Sequence, residues 1–313
     1  MAHARYRSFL FDSGRWEGFE LRPGDIIIST PPKCGTTWTQ MIVALLVFQE
    51  PVLHEPLAVT SPWIDMVTRP RTEIVADLAA QTHRRFVKTH TPLDGLPIDP
   101  SVTYVCVGRD PRDVALSMDH HRGNLDIERV VRARAESAAI DGVDLGPVQP
   151  PPPRAEDPRE RFWRWVDDDT DPTSTTSTLR YTVHHLRTFR SAPADIDVVW
   201  LHYDDLLDDL EREMRALADR LAIGVPPDRW DELVHAATFE AMRSRSDVTV
   251  PGASRGQWRD TTDFFHRGSS GQWRELLDDG DVLRYAARVR SIAEPDLVTW
   301  LHRPPLPATG STP

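Results

Sequence analysis

A short polar segment has the composition of a phosphate-binding loop. It spans residues 29–38, reads S-T-P-P-K-C-G-T-T-W and lies between a strongly apolar strand and a strongly apolar helix. At such a junction, free backbone N–H groups and the positive end of the helix dipole meet. Gly35 permits a close approach of the backbone, Lys33 adds a charge, and Thr36 and Thr37 add hydroxyl donors. We interpret the segment as an anion cradle; the alternative is an ordinary strand–turn–helix junction.

The segment differs from the Walker A motif of nucleoside triphosphate-binding proteins. In G-x-x-x-x-G-K-[ST] the lysine follows a glycine and stands beside a hydroxyl group that binds Mg²⁺. Here Lys33 precedes Gly35. A P-loop nucleoside or nucleotide kinase is therefore kept only as an alternative function.

Three further motifs follow along the chain. They are FVKTH at 86–90, VGRDPRDVALS at 107–117 and FHRGSSGQW at 265–273. One such motif would be a weak signal. Together with the cradle, however, they resemble in order and spacing the soluble cytosolic-type sulfotransferases, which use 3′-phosphoadenosine 5′-phosphosulfate (PAPS). The likeness covers about residues 22–276 and is to a bacterial-like member of the family. The chain shows no match to the C-terminal dimer motif of many animal members, so their mode of dimerising is not carried over and the oligomeric state is open.

The resemblance implies a binding site for the donor nucleotide. The 5′-phosphosulfate would be held by Lys33, Cys34, Gly35, Thr36 and Thr37. Cys34 stands where the family usually has Ser or Thr, and its backbone N–H can still donate. The adenine would be contacted by Trp38, Tyr203, Thr238 and Phe239.

The resemblance also implies a separate group of residues around the 3′-phosphate. Arg109 and Ser117 match the pair that grips it, a task suited to the planar fork of arginine. In the last motif, the late loop at 265–273, the family usually reads Arg-Lys-Gly, whereas this chain has His266, Arg267 and Gly268. Histidine is charged only part of the time near neutral pH, so we expect a weaker, pH-dependent contact at His266.

Sulfuryl transfer needs a base for the acceptor proton and positive charge for the leaving phosphate. His90 matches the general base of the family, and histidine suits that task because its pKa lies near working pH. Lys33 would neutralise charge on the bridging oxygen. Lys88, two residues from His90 and so on the same side of the strand, would support the transferring group. The product would be 3′-phosphoadenosine 5′-phosphate (PAP).

No metal cofactor is expected, because fixed cations do the work that Mg²⁺ does in kinases. The sequence contains two adjacent histidine pairs, 120–121 and 184–185. Adjacent residues do not place two ligands on one helix face, so we reject both pairs as metal sites.

The acceptor is expected to be a small or medium apolar molecule that carries a hydroxyl group. Phenol, sterol, lipid, sugar and antibiotic scaffolds all stay open. Aromatic side chains are the candidates for lining its pocket, although the core is the better explanation for each one taken alone; they are Phe9, Phe11, Trp63, Phe162, Trp163 and Trp165. The alternative from another class is a non-catalytic module that binds PAP, which would need the cradle but neither His90 nor Lys88.

Buried strands and amphipathic helices alternate along the chain and must position these residues. Apolar runs predict strands at 25–30, 85–89, 102–107 and 197–203. Helices are predicted after Gly35, over 110–121 and, from a leucine and methionine stripe, over 207–221. We therefore predict an α/β fold with a P-loop-like central parallel sheet flanked by helices on both faces, in one domain of residues 1–302 with a proline-rich tail at 303–313.

Composition limits the partners and the location. The 313 residues carry 37 basic and 48 acidic side chains, a net charge of −11 with histidines neutral. This disfavours a general nucleic-acid binder. No run approaches the roughly 20 apolar residues of a membrane span, and no signal sequence is evident, which predicts a cytoplasmic protein. The proline run at 147–153 predicts an extended loop, and the polar stretch at 244–262 predicts either a lid or a surface insertion.

Overall fold

The computed structural model describes residues 3–146, 154–303 and 305–307. The strands are β1 (Ile26–Ser29), β2 (Phe86–Thr89), β3 (Thr103–Gly108) and β4 (Asp197–His202). The α-helices are α1 (Thr36–Phe48), α2 (Leu57–Thr60), α3 (Arg71–Ala80), α4 (Pro111–Asn124), α5 (Ile127–Asp141), α6 (Pro158–Asp167), α7 (Leu179–Arg190), α8 (Tyr203–Asp208), α9 (Leu210–Arg220), α10 (Trp230–Ala236), α11 (Phe239–Ser244), α12 (Ser246–Thr249), α13 (Asp279–Ile292) and α14 (Pro295–Leu301). Short 3₁₀ turns occupy Ser13–Trp16, Leu93–Gly95, Pro227–Arg229, Ala253–Arg255, Thr262–Phe264 and Gln272–Glu275.

The four strands form one parallel sheet in the order β2-β1-β3-β4. Ile28 in the middle of the sheet lies opposite Lys88 on one side and Val105 on the other. β1, β2 and β3 are buried along their whole length, as is usual for strands covered on both faces. The carboxyl ends of parallel strands share one edge, so the segments that follow Ser29 and Thr89 are neighbours in space.

Helices cover both faces of this sheet. Ile27 and Cys106 point into an apolar cluster that contains residues of α4, α6, α7 and α13. Ile28 and Val105, on the opposite face, join a cluster built with α1, α9 and α10. The alternation follows from the two-residue period of a strand. The predicted fold class is confirmed.

The predicted helix over 207–221 is wrong in one respect, because two helices occupy the region. α8 ends at Asp208 and α9 begins at Leu210. Asp209 between them has a non-helical backbone, with φ −153° and ψ 83°, and its side chain accepts a hydrogen bond from the N–H of Arg212. Aspartate is a strong helix N-cap, so the break follows from a local signal that the apolar stripe obscured.

Two predictions about loops meet the structure only in part. The proline run at 147–153 and most of the tail lie outside the described residues, and the division into a 1–302 domain and a tail stays a prediction. The stretch at 244–262 contains α12 and the 3₁₀ turn at Ala253–Arg255. None of the described helices is both long enough and apolar enough to cross a membrane.

Candidate active site

The predicted phosphate loop joins β1 to α1 through two left-handed residues. Lys33 has φ 70° and Gly35 has φ 101°, and the N–H of Cys34 bonds to the carbonyl of Pro31 at 3.3 Å. A Cβ at Gly35 would lie 3.0 Å from the Tyr203 ring, so both conformation and space favour glycine. No side chain in the described part of the chain caps α1 at Gly35. The first-turn N–H groups of this helix therefore suit an anion.

Lys33 lies at the mouth of this loop in a desolvated and positively charged setting. Its Nζ is 4.8 Å from the centroid of the Phe264 ring and 3.4 Å from Nδ1 of His121. Burial, with smaller contributions from Arg109 and Lys88, lowers the pKa of Lys33 to about 7. An anion in the loop would reverse these effects and favour the ammonium form.

His90 follows β2 and is held in one tautomer by a backbone contact. Nδ1 lies 2.8 Å from the carbonyl oxygen of Thr30. A carbonyl only accepts, so Nδ1 carries the proton and Nε2 keeps its lone pair. Burial, with a smaller contribution from Lys88, keeps the pKa of His90 well below its usual value, and the side chain is 7 % exposed. The neutral ring has the protonation state that a general base requires.

Trp63 connects His90 with Lys88. Its ring centroid is 4.8 Å from that of His90, nearly perpendicular, and 4.3 Å from Nζ of Lys88. Lys88 is 6 % exposed, and burial lowers its pKa to about 8. Lys88 and His90 thus meet at Trp63, and Lys33, the third side chain predicted to act in catalysis, lies close enough for the charge of Lys88 to contribute, after burial and Arg109, to lowering its pKa.

Arg109 bridges the phosphate loop and the late loop. It is 5 % exposed and donates to the carbonyls of Lys33 and Ser269, each at 3.1 Å. Its guanidinium lies 4.1 Å from the centroid of the Tyr203 ring. The buried Nε has no partner among the described residues. Ser117 lies half-buried on α4, two turns after the start of that helix.

The residues predicted to contact adenine also converge. The rings of Trp38 and Tyr203 meet edge to face at 5.3 Å, and Nε1 of Trp38 donates to the carbonyl of Ala237 at 2.8 Å. Ala237 directly precedes Thr238, the N-cap of α11, and Phe239, its first residue. Gly268 packs on the ring of Phe239 so closely that a Cβ there would lie 2.3 Å from a ring carbon.

The late loop departs further from the expected pattern. Arg267 forms an exposed ion pair with Glu275 at 2.7 Å, so a phosphate group would have to compete with this carboxylate. His266 stacks on His120, with ring centroids 3.9 Å apart. Burial and the neighbours His120 and Arg267 lower the pKa of His266 below its usual value. The imidazole is therefore mostly neutral at neutral pH in the free protein.

On the expectation from the resemblance that the 3′-phosphate of PAP lies beside His266, we predict that PAP binds more tightly as the pH falls. A bound phosphate raises the pKa of His266, so binding takes up a proton, and affinity rises as the pH falls through the bound-state pKa. Between about pH 8 and pH 6 we expect His266 to contribute about threefold to tenfold, a modest gain because the site is partly exposed. Calorimetric titration of wild type and His266→Gln with PAP at each pH measures this contribution. The variant lacks the imidazole, so its pH dependence gives the effect of all the other titrating groups. Equal pH slopes for the two proteins would contradict the prediction.

The predicted acceptor lining is wrong for the aromatic residues of α6. Phe162, Trp163 and Trp165 belong to the main core cluster. Nε1 of Trp163 donates to Asp281 of α13 at 3.0 Å. The apolar face of α6 suggested that these side chains could contact an acceptor, but this face packs against neighbouring helices.

The other aromatic residues of that prediction have different surroundings. Phe11 packs in a small buried cluster with Tyr6 and Tyr181. The hydroxyl of Tyr181 donates to the carbonyl of His90, which connects this cluster to the site. Phe9 lies 6.0 Å from the guanidinium of Arg134. Of the six aromatic residues, Trp63 is the one whose ring contacts the residues predicted to act in catalysis.

Sequence reasoning missed His121 and Phe264, which contact Lys33, and Trp258, which packs against both of them. The ring centroid of His121 is 4.9 Å from that of Trp258 and 6.1 Å from that of Phe264. His121 belongs to an adjacent histidine pair, and that spacing suggests a metal site only to exclude it. The sequence does carry one signal that singles out the two lysines of the site. Lys33 and Lys88 are the only two lysines in the sequence, against 35 arginines. Among the described residues, no group of three histidine, cysteine or acidic side chains could hold a metal ion.

Comparison with known proteins gives one family. The model of the sulfotransferase domain matches residues 23–291. A glycolipid sulfotransferase of Mycobacterium bovis is 42% identical over 310 residues, covering 95% of this chain and 93% of that protein. A glycolipid sulfotransferase of Mycobacterium tuberculosis is 41% identical over 305 residues, with the same coverage. Sulfotransferase 1B1 of Canis lupus familiaris is 25% identical over 278 residues, covering 85% of this chain and 83% of that protein.

Solved structures with the same fold include two that contain PAP. Retinol dehydratase in a complex with retinol and PAP superimposes with a TM-score of 0.65 at 21% identity, covering 89% of this chain and 83% of that one. Mouse sulfotransferase SULT7A1 complexed with PAP gives a TM-score of 0.65 at 17% identity, covering 91% of this chain and 89% of that one.

Proposed function

The chain belongs to the sulfotransferase family and is a sulfotransferase, and from that premise we propose that it transfers the sulfuryl group of PAPS to a hydroxyl group of an acceptor. The observation that carries this proposal is the meeting of Lys33, Lys88 and His90 at the carboxyl edge of β1 and β2. Two desolvated amines and one neutral imidazole stand there beside the uncapped start of α1. This set supplies positive charge for a phosphosulfate and a base for a hydroxyl proton. A binding module that only senses PAP would need neither Lys88 nor His90.

The donor would lie with its 5′-phosphosulfate in the phosphate loop. The N–H groups at the start of α1 and the Lys33 ammonium would neutralise its charge. Arg109, whose Nε has no partner in the described part of the chain, would approach the 3′-phosphate. Trp38 and Phe239 would flank the adenine. Binding of this polyanion would raise the pKa of both lysines, so each would be charged when the reaction starts.

The reaction would proceed in one displacement at sulfur. Nε2 of His90 takes the proton of the acceptor hydroxyl as that oxygen forms its bond to sulfur. The bond between sulfur and the bridging phosphate oxygen breaks, and its electron pair stays on PAP. Lys33 neutralises the charge that develops on this oxygen, and Lys88 stabilises the transferring group. The proton ends on His90, the sulfuryl group on the acceptor.

The acceptor we favour is a glycolipid hydroxyl, because the relatives above 40% identity are glycolipid sulfotransferases. A small apolar alcohol or phenol is the second candidate. The apolar rings of Trp63 and Phe264, which lie against Lys88 and Lys33, favour it. Both classes present the same nucleophile, a neutral hydroxyl group.

A transfer assay separates these acceptors. Purified enzyme with radiolabelled PAPS is offered a neutral glycolipid, a phenol and a sterol, each with and without EDTA. We expect label on the glycolipid at a rate at least about tenfold above the others, because a matched acceptor gains binding energy in the transition state. EDTA is expected to leave the rate unchanged. Equal rates for the phenol would support the second candidate, and PAP binding without transfer to any acceptor would favour the non-catalytic module.

A further inference from the structure

His121 is the one side chain of the described structure that offers Lys33 a hydrogen-bond acceptor. It stands in the last turn of α4, half-buried, with Nδ1 3.4 Å from Nζ of Lys33. This is a long hydrogen bond, but it joins residues 88 positions apart in the sequence. An imidazole rather than a carboxylate therefore faces this ammonium.

The charges around Lys33 make that partner important. Arg109 and Lys88 both repel the ammonium and lower its pKa. Within the described residues, no acidic side chain comes within 4.0 Å of Nζ. The ring of Phe264 at 4.8 Å attracts a cation but does not fix the direction of an N–H bond. The position of the amine therefore depends on the one directional contact, to His121.

We infer that His121 positions Lys33, with its neutral imidazole accepting a hydrogen bond from the ammonium and holding it at the mouth of the phosphate loop. The inference rests on the proposed function only where it calls Lys33 a catalytic residue. The contact itself does not depend on the reaction. His121 does not touch the reacting atoms in this assignment, so it is a positioning residue.

The tautomer follows from the chemistry of the partner. An ammonium group only donates, so Nδ1 of His121 must be unprotonated and Nε2 must carry the ring proton. Burial and the positive neighbours, first Lys33 and then Lys88, with smaller contributions from His90 and Arg122, keep the pKa of His121 well below its usual value. A protonated ring would lose the hydrogen bond and repel the amine.

Two aromatic side chains of the segment that precedes the late loop, Trp258 and Phe264, lie against the ring of His121. Nε1 of Trp258 donates to the carbonyl of Pro251 at 2.6 Å. Asn124, three residues after His121, anchors the same segment by accepting from the N–H of Asp260 and donating to its carbonyl. The imidazole is thus oriented before any substrate arrives.

Two substitutions separate positioning from packing. The amide oxygen of His121→Asn can accept a hydrogen bond near the place of Nδ1, whereas His121→Phe keeps an aromatic ring against Trp258 and offers no acceptor. If His121 only packs, the phenylalanine variant is the better tolerated of the two. If it positions Lys33, the asparagine variant is.

The first measurement needs no activity. Because the chain has two lysines, protein grown with isotope-labelled lysine gives two side-chain signals in an NMR titration. We expect His121→Phe to lower the pKa of Lys33 by about half a unit to one unit, since the acceptor stabilises the charged form, and to leave Lys88 unchanged. His121→Asn is expected to stay near wild type. An unmoved Lys33 signal in His121→Phe would overturn the inference.

The second measurement is kinetic. We expect kcat to fall about tenfold in His121→Phe and less than about threefold in His121→Asn, because a displaced catalytic group costs up to about 10²-fold. The KM for PAPS should change less than kcat, and the alkaline limb of the kcat profile should move to lower pH in His121→Phe. Equal losses in both variants would overturn the inference. Lack of transfer by wild type would instead contradict the proposed function and leave the titration decisive.

Discussion

Replacement of His90 by asparagine is expected to lower kcat by about 10²- to 10⁴-fold, the range that a general base contributes. The amide N–H of asparagine can still donate to the carbonyl of Thr30, as Nδ1 of His90 does at 2.8 Å. The variant therefore keeps the structural contact and loses the lone pair of Nε2. Initial rates with saturating PAPS and acceptor measure the loss.

Two controls make this result specific. Binding of PAP by calorimetry should change less than about threefold, since His90 contacts the acceptor side rather than the nucleotide in our assignment. His90→Gln, which places its amide near Nε2 and forfeits the Thr30 contact, should lose activity to a similar degree and also unfold at a lower temperature. Turnover by His90→Asn near the wild-type rate would remove His90 as the base.

Replacement of Arg109 by alanine is expected to weaken PAP binding by about 10²- to 10³-fold. Arg109 is buried, and a buried charge that loses its partner typically costs about 3–5 kcal/mol. The analogue that lacks the 3′-phosphate should lose less than about tenfold, because it offers no second anion to the guanidinium. Calorimetry with both nucleotides gives the ratio of the two losses.

The same side chain also bridges two loops, so the test needs a structural control. Arg109 donates to the carbonyls of Lys33 and Ser269, and its loss also releases the late loop. Arg109→Lys keeps the charge without the fork and should fall between wild type and alanine for PAP. Equal losses of both nucleotides in Arg109→Ala would show that the residue acts through the loops and does not read the 3′-phosphate.

Much of the site could be predicted from local sequence. Lys33 and Gly35 stand between an apolar strand and an apolar helix, and that order already indicates an anion site, because a strand–helix junction presents free N–H groups wherever it occurs. The strands were likewise evident, since β-branched runs such as 26–28 report burial on both faces. Their predicted bounds differ from the observed ones by at most one residue.

Other features of the site could not be predicted from the spacing of apolar residues in the sequence. An apolar face shows that a side chain is buried but not which element buries it, so the sequence could not decide between pocket and core for Phe162 and Trp163. Both pack towards α13. His121 gave no signal of its own, because its importance comes from Lys33, 88 positions away.

The sequence by itself determined the kinds of chemistry available: a cradle for an anion, two lysines, a histidine after a buried strand and a family pattern that connects them. Only the tertiary structure decided how they combine. The strand order β2-β1-β3-β4 places His90 beside Thr30 and thereby selects its tautomer, and packing of the late loop brings Ser269 to Arg109 across 160 residues. The protonation state of a side chain and the direction of its hydrogen bonds depend on neighbours that are distant in the chain. Such contacts arise only when the whole core has packed.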